Sequence, residues 1–134
     1  MKNKSKLQKI QKGKAQAPKV PAEWLYVSSD KKELRQIYEL FTEEMPWVAE
    51  YWEEAGVLEI AVPEAGSVDV EELVELDEYL ETYMLERQLQ TVFAVTIMPE
   101  HYDRVKKVLE KIMECAGGYF CGDTDDFLPE VKIV

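Results

Sequence analysis

The order of apolar and polar residues predicts strands and helices in alternation along one chain. Trp24-Leu25-Tyr26-Val27 is a β-prone run closed by Ser28-Ser29-Asp30, which predicts a first strand. Asp30, with Glu33 three residues on, has the spacing of a capping box and predicts a helix start. Leu34, Ile37, Tyr38, Phe41 and Met45 then recur at helical spacing. Pro46 interrupts a continuous helix but suits the first turn of a new one. Trp47, Val48, Tyr51 and Trp52 follow on one stripe, and Gly56 is a fitting stop. Two helical pieces, or one kinked at Pro46, are expected here.

Val57 to Val62 alternates, with Leu58, Ile60 and Val62 on one side and Val57, Glu59 and Ala61 on the other, as in a half-buried strand. Pro63 to Gly66 makes a turn. Asp69 and Glu72 repeat the capping-box spacing, and Val68 with Leu73 is placed for a hydrophobic staple. A helix to about Leu89 is expected, burying Leu73, Leu76, Leu80, Tyr83 and Met84 and exposing carboxylates. Val92 to Met98 is nearly all apolar and predicts a central strand. Pro99 opens a last helix with the stripe Tyr102, Val105, Val108, Leu109, Ile112 and Ala116, ended by Gly117-Gly118. Tyr119-Phe120-Cys121 predicts another strand, and Glu130 to Val134 a short edge strand.

The order βαβαβαβ places the chain in the α+β class. A ferredoxin-like (split β-α-β) two-layer sandwich with an inserted acidic helix is the favoured architecture, because Glu59 needs a sheet with an exposed face. An open, mostly parallel α/β sheet is the alternative. Layers of the first kind serve ligand sensors and inhibitor proteins alike, so fold alone assigns no activity.

Composition narrows the class. At 134 residues, 46% hydrophobic and 32% charged, the chain suits one folded domain, expected over 23–134. No apolar stretch approaches the roughly 18 residues of a membrane span, and no h-region follows the first lysines. A cytoplasmic protein is expected. The net charge of −11 is segregated rather than spread. Lys2, Lys4, Lys6, Lys9, Lys12, Lys14 and Lys19 stand without an acid in residues 1–20, and Pro18 and Pro21 oppose a helix. Residues 1–22 are therefore expected to be a basic disordered arm and linker. From Gln36 to Glu86 there are sixteen carboxylates and no Lys or Arg. Such a body repels phosphate, so any nucleic acid would have to be bound by the arm. The plainer reading of the arm, and the favoured one, is a solubilising or vestigial extension, which could also fold back on the acidic face.

Catalytic signatures are lacking. Cys115 and Cys121 have neither redox nor zinc spacing, and the plain reading of both is a buried structural thiol. His101 starts the last helix, at the opposite end from Cys121, which disfavours a dyad. Gly117-Gly118 follows a helix, whereas a phosphate cradle precedes one. No cofactor is expected, and a non-enzymatic role is favoured. Two sites are worth naming. Asp123, Asp125 and Asp126 cluster on a glycine-started loop and offer oxygen ligands to Mg²⁺ or Ca²⁺, although the same residues simply make turns. Trp47, Tyr51 and Trp52, among Glu43, Glu44, Glu50, Glu53 and Glu54, join hot-spot aromatics to charges that attract a basic partner. The leading expectation is an interaction module that binds a basic protein through acidic helices at 39–54 and 69–86, with inhibition one use such binding could serve. A metal-dependent enzyme or ligand sensor on the Asp loop, and an RNA-associated protein acting through the arm, are the alternatives. An exposed edge strand would permit a homodimer.

Overall fold

Two-residue alternation, more than helical periodicity, organises this chain. The computed structural model describes residues 20–133. The basic arm expected over 1–22 lies outside them but for its last three residues, as does Val134. The elements are β1 (Glu23–Ser28), α1 (Leu34–Tyr38), β2 (Val48–Trp52), β3 (Val57–Ala61), β4 (Ser67–Glu72), α2 (Glu78–Glu86), β5 (Thr91–Thr96), α3 (Tyr102–Ala116), β6 (Tyr119–Gly122) and β7 (Glu130–Val131). Short 3₁₀ turns at Glu53–Ala55 and Pro99–His101 precede β3 and α3. The strands form one seven-stranded sheet in the order β2-β3-β4-β5-β1-β6-β7, with every neighbouring pair antiparallel.

The α+β class therefore holds, and the open parallel sheet does not. The strand order also differs from the smaller layer expected, because two segments taken for helix are strands. Trp47–Trp52 was expected on a helical stripe, yet Val48–Trp52 is strand β2, paired residue for residue with β3. Ala49 and Tyr51 pack on the core while Val48, Glu50 and Trp52 are exposed, a period of two. Val, Tyr and Trp are also better strand formers than helix formers. Likewise Asp69 and Glu72 do not cap a helix: Val68 and Val70 are buried from strand β4, and Asp69 and Glu71 alternate with them. The acidic helix starts later, where the Asp77 carboxylate accepts the Leu80 N–H at 2.8 Å. In α1 the capping box is Glu33 with Gln36, one turn displaced from the expected Asp30–Glu33 pair, and the helix ends at Tyr38.

β1 is the strand buried on both faces. Trp24 and Tyr26 point into the larger core, with Leu34 and Ile37 of α1 and Val105, Val108, Leu109 and Ile112 of α3. Leu25 and Val27 point the other way, into a smaller core with Leu80 and Tyr83 of α2 and Cys121. β1 and β4 run parallel on either side of β5, and β5 and β6 run parallel on either side of β1. Chains leaving β1 and β5 thus cross the same face, through α1 and α3. The opposite face is covered by α2 over β1, β6 and the start of β5, where Val92 packs, which leaves β2, β3 and β4 open. No helix of the described residues is long and apolar enough to cross a membrane.

Candidate functional site

The buried positions of the uncovered strands are apolar, and four of their nine outward positions are acidic. Leu58 and Ile60, Val68 and Val70, and Phe93 and Val95 lie in the larger core. Their alternates face away from it, and the register aligns these across the sheet. Glu50 of β2 stands opposite Glu59 of β3, Glu59 opposite Asp69 of β4, Asp69 opposite Thr96 of β5, and Thr96 opposite Glu23 of β1. Adjacent strands are about 4.8 Å apart, so four carboxylates and one hydroxyl make a row about 19 Å long. The next row is Trp52, Val57, Glu71 and Ala94, and on the other side lie Val48, Ala61 and Ser67. An acidic stripe is thereby framed by apolar side chains, of which Val48 (68% exposed) and Trp52 (48%) are the most open.

The stripe continues past β1. The Asp123 N–H donates to the Glu23 carbonyl at 3.0 Å. Burial raises the Asp123 carboxyl above its ordinary value, and the nearby charges of Glu23 and Asp77 push it further the same way. The acidic row therefore runs from the β2 edge to the first turn of α2. Among the described residues the ion pairs are Arg35–Glu53, Arg87–Glu86, Arg104–Glu64 and Lys132–Glu130, and none reaches this row. No strand carries a Lys or Arg. Like charges directly opposite one another destabilise a sheet, so the arrangement is not one that pairing energy would select.

The aromatic and acidic residues expected to act together are divided by the sheet. Glu50 and Trp52 share the open face. Tyr51 is on the helical face, with its ring 5.4 Å from that of Tyr38 and the Arg35 guanidinium 5.5 Å above it. Arg35 also pairs with Glu53 at 2.6 Å. Trp47 packs edge-on to Phe41 at 6.1 Å, half-buried against the core. Glu43 and Glu44 are exposed in the loop before β2, and Glu54 in the 3₁₀ turn after it. Glu23 and Glu59 were not expected in the site, and Asp69 and Glu71 were expected on it from a helix over 69–86 rather than from a strand. An acid between two apolar residues, Glu59 between Leu58 and Ile60 and Asp69 between Val68 and Val70, was the signal of alternation that could have placed them there.

The Asp loop is organised mainly around itself. The Asp126 Oδ1 accepts the Thr124 hydroxyl at 3.0 Å and the Leu128 N–H at 3.2 Å. Asp123 turns instead towards Glu23 and Asp77, and Asp125 lines a hollow of about 410 Å³ with Asp77, Tyr79, Asp123 and Phe127. No three His, Cys, Asp or Glu side chains of the described residues are grouped to hold a metal ion. Both cysteines are free. Cys121 is buried in β6, which pushes its thiol up to about 11. Cys115, expected inside, is exposed. At about 100° per residue it stands roughly a quarter turn from the centre of the α3 stripe, in the helix's last turn.

No protein family, curated protein or solved structure matches this chain.

Proposed function

We propose that this chain is a non-enzymatic interaction module whose open, acidic sheet face binds a Lys- or Arg-rich segment of a basic protein and, by covering it, inhibits that protein. One observation carries the reading: Glu50, Glu59 and Asp69 stand in direct register with no basic side chain of the described residues among them. An extended basic segment laid across these strands would pair with several carboxylates at once. Trp52 and Val48 at the rim supply apolar contact for its stems and anchor residues. Surrounding charge of one sign speeds encounter and excludes acidic competitors. The free cysteines suit a reducing compartment such as the cytoplasm. The four central strands β6-β1-β5-β4 with α1 and α3 support a split β-α-β core, extended by the β2–β3 hairpin and β7.

A fluorescent ten-residue lysine peptide provides the test. Replacing Glu50 and Glu59 by Gln and Asp69 by Asn should weaken its binding at least tenfold in low salt, about 1.4 kcal/mol or more. Trp52→Ala should weaken it less steeply, and Glu114→Gln, on the exposed side of α3, not at all. Unchanged affinity in the triple variant would refute the assignment. The alternative of a small-ligand or cation site keeps one support, the hollow beside Asp77, Asp123 and Asp125. A melting temperature indifferent to Mg²⁺, Mn²⁺ and Ca²⁺ removes its cation form.

A further inference from the structure

We infer that the chain's own lysine arm, residues 1–19, occupies the open acidic face and competes there with the basic partner. The inference rests on the reading of that face as the binding surface and adds its regulation. Charge complementarity is the first argument. Seven lysines and no acid precede Val20, whereas Glu23, Glu50, Glu59, Asp69 and Glu71 share the face.

Position is the second argument. The Trp24 indole N–H donates to the Pro21 carbonyl at 2.7 Å, and the Ile97 N–H donates to the Ala22 carbonyl at 2.9 Å. These bonds pin the chain where β1 enters the sheet. Val20 packs on the larger core, on the helical face, so the arm would have to turn round the end of β1, beside Glu23, to reach the acidic row. Reach is the third. From β1 to β2 is four strand spacings, about 19 Å. A random-coil chain of nineteen residues would have a root-mean-square span of about 24 Å, and a fully extended one about 60 Å. The extended length exceeds the row and leaves chain for the turn from the helical face, where Val20 packs.

The lysine spacing adds a fourth. Lys2, Lys4 and Lys6 alternate, as do Lys12 and Lys14, so an extended arm would aim each set to one side. A tether of this length holds its lysines at an effective concentration on the order of 1 mM. If the arm alone bound with a Kd of about 0.1 mM, an outside peptide would bind roughly tenfold more weakly while the arm is in place.

The experiment compares the full chain with a full-length variant in which all seven arm lysines are glutamine, each with and without the Glu50→Gln, Glu59→Gln, Asp69→Asn set. The probe is the ten-lysine peptide in low salt. The expected result is roughly tenfold tighter binding when the arm lysines are removed, with that gain abolished by the face substitutions. The last condition matters, because losing seven positive charges attracts the probe generally, and a general gain would survive them. Carbodiimide cross-linking of the unmodified chain should join arm lysines to Glu50, Glu59 or Asp69 within one molecule. Equal affinity with and without the arm lysines, still lost on substituting the face, would overturn the arm and leave the face standing. No binding by either form would overturn the face, and the arm with it. Cross-links found only between two molecules would also overturn the inference, by making the occupant a second copy's arm.

Discussion

Glu59 is the position where the acidic row can be weighed. It stands opposite Glu50 on one side and Asp69 on the other, so a single substitution alters two cross-strand pairs. A directly opposed pair of charges shifts sheet stability by about 0.3 to 0.5 kcal/mol at a partly exposed site. Glu59→Gln deletes two repulsions and should stabilise by roughly 0.5 to 1 kcal/mol on that scale. Glu59→Lys turns both into attractions, for roughly 1 to 2 kcal/mol. Glu and Lys are similarly poor strand formers, so propensity changes little. In a chain of this size the lysine variant should melt roughly 4 to 8 °C higher. The background should be the chain with its arm lysines changed to glutamine, so that no tethered counter-charge masks the effect. The assay is thermal and urea unfolding at about 0.01 M and 0.5 M salt, because screening beyond a few ångströms should erase most of the gain at the higher. A lysine variant no more stable than its parent in low salt, or a gain indifferent to salt, would refute the claim that this row stands under repulsion.

Gly118 has φ +76°, and a Cβ there would lie 2.5 Å from the Val27 carbonyl and 2.8 Å from the Tyr26 hydroxyl, whereas Gly117, at φ +80°, has nothing within 4 Å. Both alanine variants meet the backbone penalty, but Gly118→Ala should cost about 1 to 3 kcal/mol more in urea unfolding, and equal costs would show that the close approach does not matter. The Tyr83 and Tyr119 hydroxyls are 2.7 Å apart, so either Tyr→Phe should cost about 1 kcal/mol and the pair less than the sum, as a double-mutant cycle would show. Burial raises the Cys121 thiol from about 9 to about 11. Its contribution is thus fully present below pH 9 and lost as pH climbs through 11, roughly 2 to 3 kcal/mol of alkaline destabilisation that Cys121→Ala should abolish. Thiol reagents at neutral pH should label exposed Cys115 quickly and Cys121 only on unfolding.

Most of the frame was legible because its signals were unambiguous. β3, β5 and β6 lie within a residue or two of their predicted spans, and α3 ends at the predicted Ala116 but starts three residues late, after a 3₁₀ turn; each is marked by a continuous apolar run, a long stripe or a clean alternation. β2 and β4 were not. Trp47, Val48, Tyr51 and Trp52 satisfy a helical template as readily as Ala49 and Tyr51 satisfy a strand, and six residues do not separate periods of 3.6 and 2. Asp69 and Glu72 match a capping box by spacing alone, while Val68 and Val70 supply the competing alternation. In both segments pairing with β3 decides the outcome, and that partner is not a local signal. The same confusion misplaced the site. Set on helices, the acids spread around two cylinders; set on strands, alternate ones fall on a single face. The excess of acid was visible in the sequence, but its register across β2, β3 and β4 required the sheet.

A simpler account of the acids is that they keep an uncovered sheet from stacking on other copies. Charges on open faces and edges do serve that end. Mixed charges would serve it too, and would gain cross-strand attraction where this face has repulsion. Basic residues were at hand: Lys31, Lys32, Arg35, Arg87, Arg104, Lys106, Lys107, Lys111 and Lys132 all belong to the described fold. Every one lies on a helix or connection, and none on a strand. Solubility explains charge on this face but not charge of one sign, in register, with Trp52 left open beside it. A basic ligand explains all three features, since it relieves the repulsion as it binds. On the proposed reading, the fold would be most stable with the face occupied, and that is what separates a binding face from one that is merely soluble.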